Sequence, residues 1–341
     1  MESVTANVND KENRIIIAKS NGEEMGYLDK NIDLDMEIGE ENDFKFDVSI
    51  KNYSKDMYAY KNRIFIPGTE YGGIIDDIEV NTGKDIVTVK GITWRRFLHL
   101  KIVEPPDEDS HLMLDGELNE VIRMLIGERL GTLFVVPQKS TEVRISNWRV
   151  DRYVTLYDAI MKFLDLKGYR LRLEYVQPEL LECGYVEIQA VPVVDYSEEI
   201  EYSEDGKVHY TIRDYRGGIN HLICAGSGQD EERMILHLFV QEDGSIGKRQ
   251  FYFGLDEREE VYEFTNADAA KLEEDGEKRL KKLKNYKKME VSVNDMELEL
   301  GDIVGGYEEY TGTQISKPVV RKILKVKNGN TEIEYKIKGD D

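Results

Sequence analysis

Most of the chain alternates between apolar and polar residues with a period of two. Phe44, Phe46, Val48 and Ile50 are separated by Lys45, Asp47 and Ser49, the pattern of a strand with one buried and one solvated face. Tyr169, Leu171, Leu173 and Tyr175 repeat it around Arg170, Arg172 and Glu174. Val186, Ile188 and Ala190 continue it, as do Ile333, Tyr335 and Ile337. Turn chemistry falls between such runs, at Asn81-Thr-Gly83, Asp205-Gly206, Glu242–Ser245 and Asn328-Gly329. The pattern predicts a protein built mainly from antiparallel β-structure.

Three segments break the rule. From Glu117 to Leu130, the spacing of Leu118, Val121, Ile122, Leu125 and Ile126 predicts a helix, with Gly131 in the left-handed position after it. A second helix is predicted over Thr155–Lys167, from Leu156, Ala159, Ile160, Phe163 and Leu164. Thr155 and Asp158 resemble a capping box there, and Gly168 stops the helix. The third runs from about Asn266 to Tyr286 with a narrow stripe of Ala269, Leu272, Gly276, Leu280 and Leu283. Gly276 and the short run of heptads argue for packing on a sheet and against a coiled coil. Breaks at Glu104–Ser110 and Tyr196–Lys207 divide the chain into 1–103, a β-barrel-like domain, 104–207, an α+β segment with two helices, and 208–341, a β-rich domain with one long helix. The expected fold class is mainly β with α+β segments.

Charge narrows the function. Among 341 residues, 46 Lys and Arg face 68 Asp and Glu, a net charge of −22. That balance argues against general nucleic-acid binding, which needs basic patches to release counterions, and against electrostatic attachment to anionic lipid. With 40% hydrophobic residues and 20 tyrosines, the chain is not a disordered acidic tail. Met1–Asn13 lacks the apolar stretch of a signal peptide, and no apolar run is long enough to span a membrane. Cys183 and Cys224 read as two reduced, semi-buried thiols of a protein made in a cytoplasm.

A search for reactive constellations returns none. Histidines stand at 99, 111, 209, 221 and 237, and no two have the i,i+2 or i,i+4 spacing of a zinc motif. His237 reads as structural. Acid pairs such as Asp76–Asp77 and Asp33–Asp35 arise by chance at this acid content, so they nominate no glycosidase. Asp107, Asp109 and Asp115 lack the glycine and closing Glu of a calcium loop. Gly226-Ser227-Gly228 leads into acidic Gln229–Glu232, which suits a strand-end turn better than a phosphate cradle. Trp94, Trp148 and the tyrosines could line a sugar-binding face, although β-packing explains them more simply. No catalytic, cofactor-binding or metal-binding residue is expected.

The order of features nevertheless resembles a family. Asp43–Ser49, Asn62–Ile66, Gly72-Gly-Ile-Ile-Asp-Asp-Ile78, Val87–Ile92, Arg96-Phe-Leu98 and Pro105-Pro106 resemble the start of tail proteins of the siphovirus Gp37-like family. More loosely, they resemble XkdQ/YqbQ-type hub proteins of phage-derived contractile tails. Gly218–Gly228, Glu232-Arg233, Gly254–Tyr262, the helix over Ala267–Leu283 and Glu299-Leu-Gly-Asp-Ile-Val304 are similar to their last third.

The resemblance implies a structural baseplate or tail-tip hub of a phage, prophage or phage-derived tail. Small β-barrel-like domains, discontinuous in sequence, would be joined by mixed α/β parts. The expected assembly is a homotrimer on the tail axis, beside tail-tube, distal-tail and tip or spike proteins. Enzymatic members carry activity on appended hydrolase domains, for which no room is expected before Asp341. No cofactor is expected, nor sequence-specific nucleic-acid binding. The alternatives are a carbohydrate- or receptor-binding β-module of a tail tip and, further off, a cell-wall glycoside hydrolase.

Overall fold

The computed structural model describes residues 14–29, 32–106, 111–178, 183–197, 208–293, 298–308, 313–327 and 330–337. It is mainly β, with several sheets and few helices. The strands in chain order begin β1 (Ile16–Ala18), β2 (Glu24–Tyr27), β3 (Leu34–Ile38), β4 (Asp43–Ser49), β5 (Arg63–Phe65), β6 (Gly72–Asn81) and β7 (Ile86–Thr93). They continue with β8 (Ile102–Val103), β9 (Met113–Glu117), β10 (Phe134–Val135), β11 (Arg144–Arg149), β12 (Val154–Thr155), β13 (Tyr169–Val176) and β14 (Tyr185–Pro192). Then come β15 (Val208–Tyr215), β16 (His221–Ala225), β17 (Ile235–Val240), β18 (Ile246–Gly247), β19 (Glu259–Glu263) and β20 (Tyr286–Val293). The last are β21 (Ile303–Glu308), β22 (Thr313–Lys327) and β23 (Asn330–Ile337). Helices are α1 (Arg96–His99), α2 (Leu118–Ile126), α3 (Leu156–Leu166) and α4 (Ala269–Leu283).

The chain divides into two compact units. The first gathers Met1–His209, Val291–Gly306 and Ser316–Ile337, and the second Tyr210–Glu290, Tyr307–Ile315 and Lys338–Asp341. Unit 1 contains a long sheet in the order β23-β22-β3-β4-β7-β6-β5-β1-β2. Every second residue of β4 is buried, as its alternation demands. Gly91 lies where a Cβ would come within 2.2 Å of the Ile74 carbonyl and 2.3 Å of the Phe44 ring, so only glycine lets these strands close. The C-terminal segment returns to this sheet: Lys322, Leu324 and Val326 pair antiparallel with Ile38, Met36 and Leu34, and β23 lies on the far side of β22.

A second layer covers the first part of unit 1. Ile122 and Leu125 of α2, Ile160 and Phe163 of α3, and Leu173 and Tyr175 of β13 share one core with Trp94 and Leu98. Each such side chain contributes about 1.5–3 kcal/mol of burial free energy. At the start of α2, the Glu120 amide donates to the Glu117 carboxylate at 3.1 Å and the Glu117 amide donates back to Glu120 at 3.2 Å. This helix ends at Ile126, short of the expected Leu130, because Gly127 turns out of it at φ +47°. Helix α3 follows expectation more closely. The Thr155 hydroxyl accepts the Asp158 amide at 3.0 Å and donates to its carboxylate at 2.6 Å, and Gly168 has φ +68°.

Unit 2 holds a four-stranded sheet, β18-β17-β16-β19, in which β16 runs antiparallel to β17 and parallel to β19. Helix α4 packs on it through Leu272, Gly276 and Leu280, all buried against Leu222, Cys224 and Leu238. The centre of its predicted stripe therefore faces a sheet, whereas Ala269 at the helix start is exposed and Leu283 at its end is half-buried. Among the described residues, no helix is long and apolar enough to cross a membrane.

Candidate functional site

Two charged constellations stand out, one in each unit. In unit 1, Glu70, Arg95 and Lys322 are at most 3% exposed. Arg95 donates from Nε and Nη2 to the two Glu70 oxygens at 2.7 and 3.0 Å, and from Nη2 to the Leu171 carbonyl at 3.0 Å. Lys322 Nζ donates to Glu299 Oε2 at 2.5 Å and lies 3.9 Å from Glu70 Oε2. Burial pushes the Glu299 carboxyl up, but Lys322, Arg170 and Arg95 outweigh it and hold the group below its ordinary range. Beside this lattice, Arg170 Nε donates to Asp302 Oδ1 at 2.6 Å. Buried charges persist only when paired and hydrogen-bonded, and of these pairs Lys322 with Glu70 and Arg170 with Asp302 tie the returning C-terminal segment to the rest of unit 1. Their role is structural.

The second constellation can do chemistry. Strands β16 and β19 run parallel with His221 opposite Glu259, and Glu257 precedes the strand by two residues. His221 is 7% exposed. Its Nδ1 lies 2.7 Å from Glu257 Oε1 and 3.0 Å from Glu259 Oε1, and its Nε2 lies 2.8 Å from His237 Nδ1. Gln250 Nε2 donates to Glu257 Oε1 at 2.7 Å, and the Phe239 ring stacks on His221 at 4.3 Å. Because carboxylates accept only, Nδ1 of His221 carries the proton facing them.

Similar solved structures include phage tail and baseplate proteins. A prophage tail protein, gp18 of Listeria monocytogenes EGD-e, is 16% identical, with 95% of this chain and 94% of that one covered at a TM-score of 0.46. A tail protein from Neisseria meningitidis MC58 is 11% identical over 96% of both chains, at 0.44. The 43 kDa tail protein of prophage MuSo2 from Shewanella oneidensis is 10% identical, covering 95% of this chain and 98% of that one, at 0.47. No family model matches the chain, and no curated protein does.

The remaining residues singled out by the sequence are scattered. Trp94 is fully buried and stacks on Tyr175 at 5.7 Å, and Trp148 is half-buried against the same core, so neither tryptophan offers an open sugar platform. Asp115 accepts the Asn147 amide at 2.8 Å, while Asp107 and Asp109 lie outside the described residues. Asp77 is 3.4 Å from Lys90, and burial together with Asp77 raises the Asp76 carboxyl. Gly226–Gly228 forms a strand-end turn, with the Gly226 amide bonded to the Met234 carbonyl at 2.8 Å. Both cysteines are free, but Cys183 is exposed rather than semi-buried, and burial pushes the Cys224 thiol up to about 11. Sequence reasoning missed the histidine–glutamate cluster because His221 lies 16 or more residues from His237, Glu257 and Glu259. Glu257-Arg-Glu259, an acid pair on one face of a strand edge, was the available signal.

Proposed function

We propose that the chain is a structural hub protein of a phage, prophage or phage-derived tail, of the Gp37-like or XkdQ/YqbQ kind, joining the tail tube to the tip and lining the axial path. One observation carries this reading: the N-terminal sheet is completed by the C-terminal segment, β22 against β3. Hub proteins that the sequence order resembles are discontinuous in that way. The likeness to the tail proteins named above is too distant to add weight. Within this reading, residues 1–103, 104–207 and 208–341 are successive stretches of the chain, the last of which returns strands to the first; the role is structural rather than catalytic, and the assembly is a homotrimer in the virion tail, among other tail proteins. On this reading the protein is made in the bacterial cytoplasm.

The acidity fits an axial wall. Carboxylates offer phosphates no place to bind, so a duplex slides past, whereas a basic wall would hold it by counterion release. Three chains at −22 each repel one another, and about 0.1 M salt, with a screening length of about 10 Å, mutes that repulsion. Light scattering and negative-stain imaging across a salt series should therefore show a ring of three forming as ionic strength rises. A DNA titration at physiological salt should show no tight binding. A monomer at every salt concentration, tight DNA binding, or sustained release of peptidoglycan fragments would sink the reading.

A further inference from the structure

We propose that His221, Glu257 and Glu259 bind a divalent transition-metal ion, zinc foremost, through His221 Nδ1 and one oxygen of each carboxylate. The inference is independent of the tail reading. The three ligand atoms lie within 4.8 Å of one another, the one such cluster among the described residues.

Charge supplies the first reason. Two carboxylate oxygens converge on a single ring nitrogen at 2.7 and 3.0 Å, and that nitrogen offers at most one proton to two anions. A dication in the proton's place takes the ring lone pair and an oxygen from each glutamate, and it cancels both charges. Geometry supplies the second. Zinc bonds of about 2.0–2.2 Å in a tetrahedral site set ligand atoms about 3.3 Å apart. The observed separations from Nδ1 are shorter, by about 0.6 Å for Glu257 and about 0.3 Å for Glu259. The two glutamate side chains, 22% and 54% exposed, make those adjustments by rotation, and the open side at Glu259 leaves the fourth position to water.

The surroundings of His221 provide the third. When a metal occupies Nδ1, the remaining proton sits on Nε2, where it donates to His237 Nδ1 2.8 Å away. Ligating histidines characteristically have such an outer partner, which fixes the tautomer and ring orientation. Phe239 stacked at 4.3 Å holds the ring plane, and Gln250 orients Glu257. Without metal the same pair reverses, with His237 donating into Nε2. One imidazole and two carboxylates suit zinc or its neighbours; calcium, which needs six to eight oxygens, would find too few. The ion would also tether the segment just before β19, where Phe251, Phe253 and Leu255 are 42%, 65% and 100% exposed.

The test uses the full chain, stripped with chelator and titrated with zinc chloride alone by calorimetry in excess magnesium, which occupies stray surface acids. The expected result is one zinc per chain, with affinity falling tenfold or more in Glu257→Gln and Glu259→Gln and lost in the double variant. Thermal melting of the metal-free variants serves as the folding control, and these conservative replacements avoid the buried His221. Two further readouts should move with zinc: the His221 and His237 nitrogen resonances of histidine-labelled protein, which report the tautomer exchange, and hydrogen exchange of residues 250–263, which should slow. Absence of binding up to millimolar zinc, or unaltered stoichiometric binding in the folded double variant, would overturn the site.

Discussion

Gly276 sits in the middle of α4, where intrinsic propensity says alanine should be better by about 1 kcal/mol. The structure says otherwise. A Cβ at this position would lie 2.6 Å from Cys224 Sγ and 2.9 Å from Leu238 Cδ1, the first contact about 1 Å inside ordinary van der Waals separation. Overpacking of that kind costs about 1–3 kcal/mol, so Gly276→Ala should destabilise unit 2 by about 1–2 kcal/mol net. Removing the sulfur reverses the sign. In a Cys224→Ala background the new methyl would meet the residue-224 Cβ at 3.9 Å, and Leu238 can swing its terminal methyl aside. There Gly276→Ala should be neutral or stabilising by up to about 1 kcal/mol, a coupling of about 2 kcal/mol between the two sites. Hydrogen exchange of peptides from 269–283, with circular dichroism at 222 nm, reads the cycle directly. Both tryptophans, Trp94 and Trp148, belong to unit 1, so their fluorescence serves as an internal control that should not move. Stabilisation by Gly276→Ala in the native background, or an additive cycle, would refute the reasoning.

Glu70→Gln should destabilise unit 1 by about 3–5 kcal/mol, because it leaves Arg95 buried without its counter-charge; an unchanged urea midpoint by tryptophan fluorescence would contradict this. Burial pushes Glu117 up, but the Thr141 hydroxyl and the Thr141, Glu120 and Asn119 amides outweigh it and hold its carboxyl below the ordinary 4.5. Its stabilisation is therefore complete above pH 4.5 and is lost as pH falls through the lower folded value. Glu117→Gln should flatten the acid side of the stability profile, measured as urea midpoints between about pH 6 and about pH 3. Of the two thiols, the exposed Cys183 should react with a disulfide reagent in the native protein. Cys224, buried and shifted to about 11, should react only on unfolding; two fast thiols in the native state would show that α4 does not seal the sheet.

Strands were the most legible part of the fold, for a simple reason. Alternation in Asp43–Ser49 and Tyr169–Tyr175 records a half-buried sheet locally, and no distant information is needed to read it. The stripe on α4 was readable in the same way, down to the glycine that lets it approach. Helix ends were less so: α2 stops at Gly127, inside the stretch to Leu130 that the spacing predicts, and the Glu117–Glu120 cap uses a carboxylate where a hydroxyl is the usual signal. Least legible were the buried charges and the histidine cluster. Arg95, Glu70 and Lys322 look like surface residues until tertiary pairing offsets their desolvation. His221 and Glu259 are 38 positions apart and meet only through a parallel register.

The returning strand has a consequence for synthesis. Arg321 bonds Glu40 across 281 positions of chain, and the Leu34–Ile38 edge finds its partner only at Leu324 and its neighbours. At about 5–20 residues per second, the ribosome needs roughly 15–55 seconds to produce that partner after the edge has emerged. Throughout that interval the nascent N-terminal sheet presents an open strand with apolar Leu34, Met36 and Ile38, a template for pairing with another nascent chain. Yield in the cell should therefore depend on elongation rate and on chaperones that shield the edge, even where the finished protein is thoroughly stable.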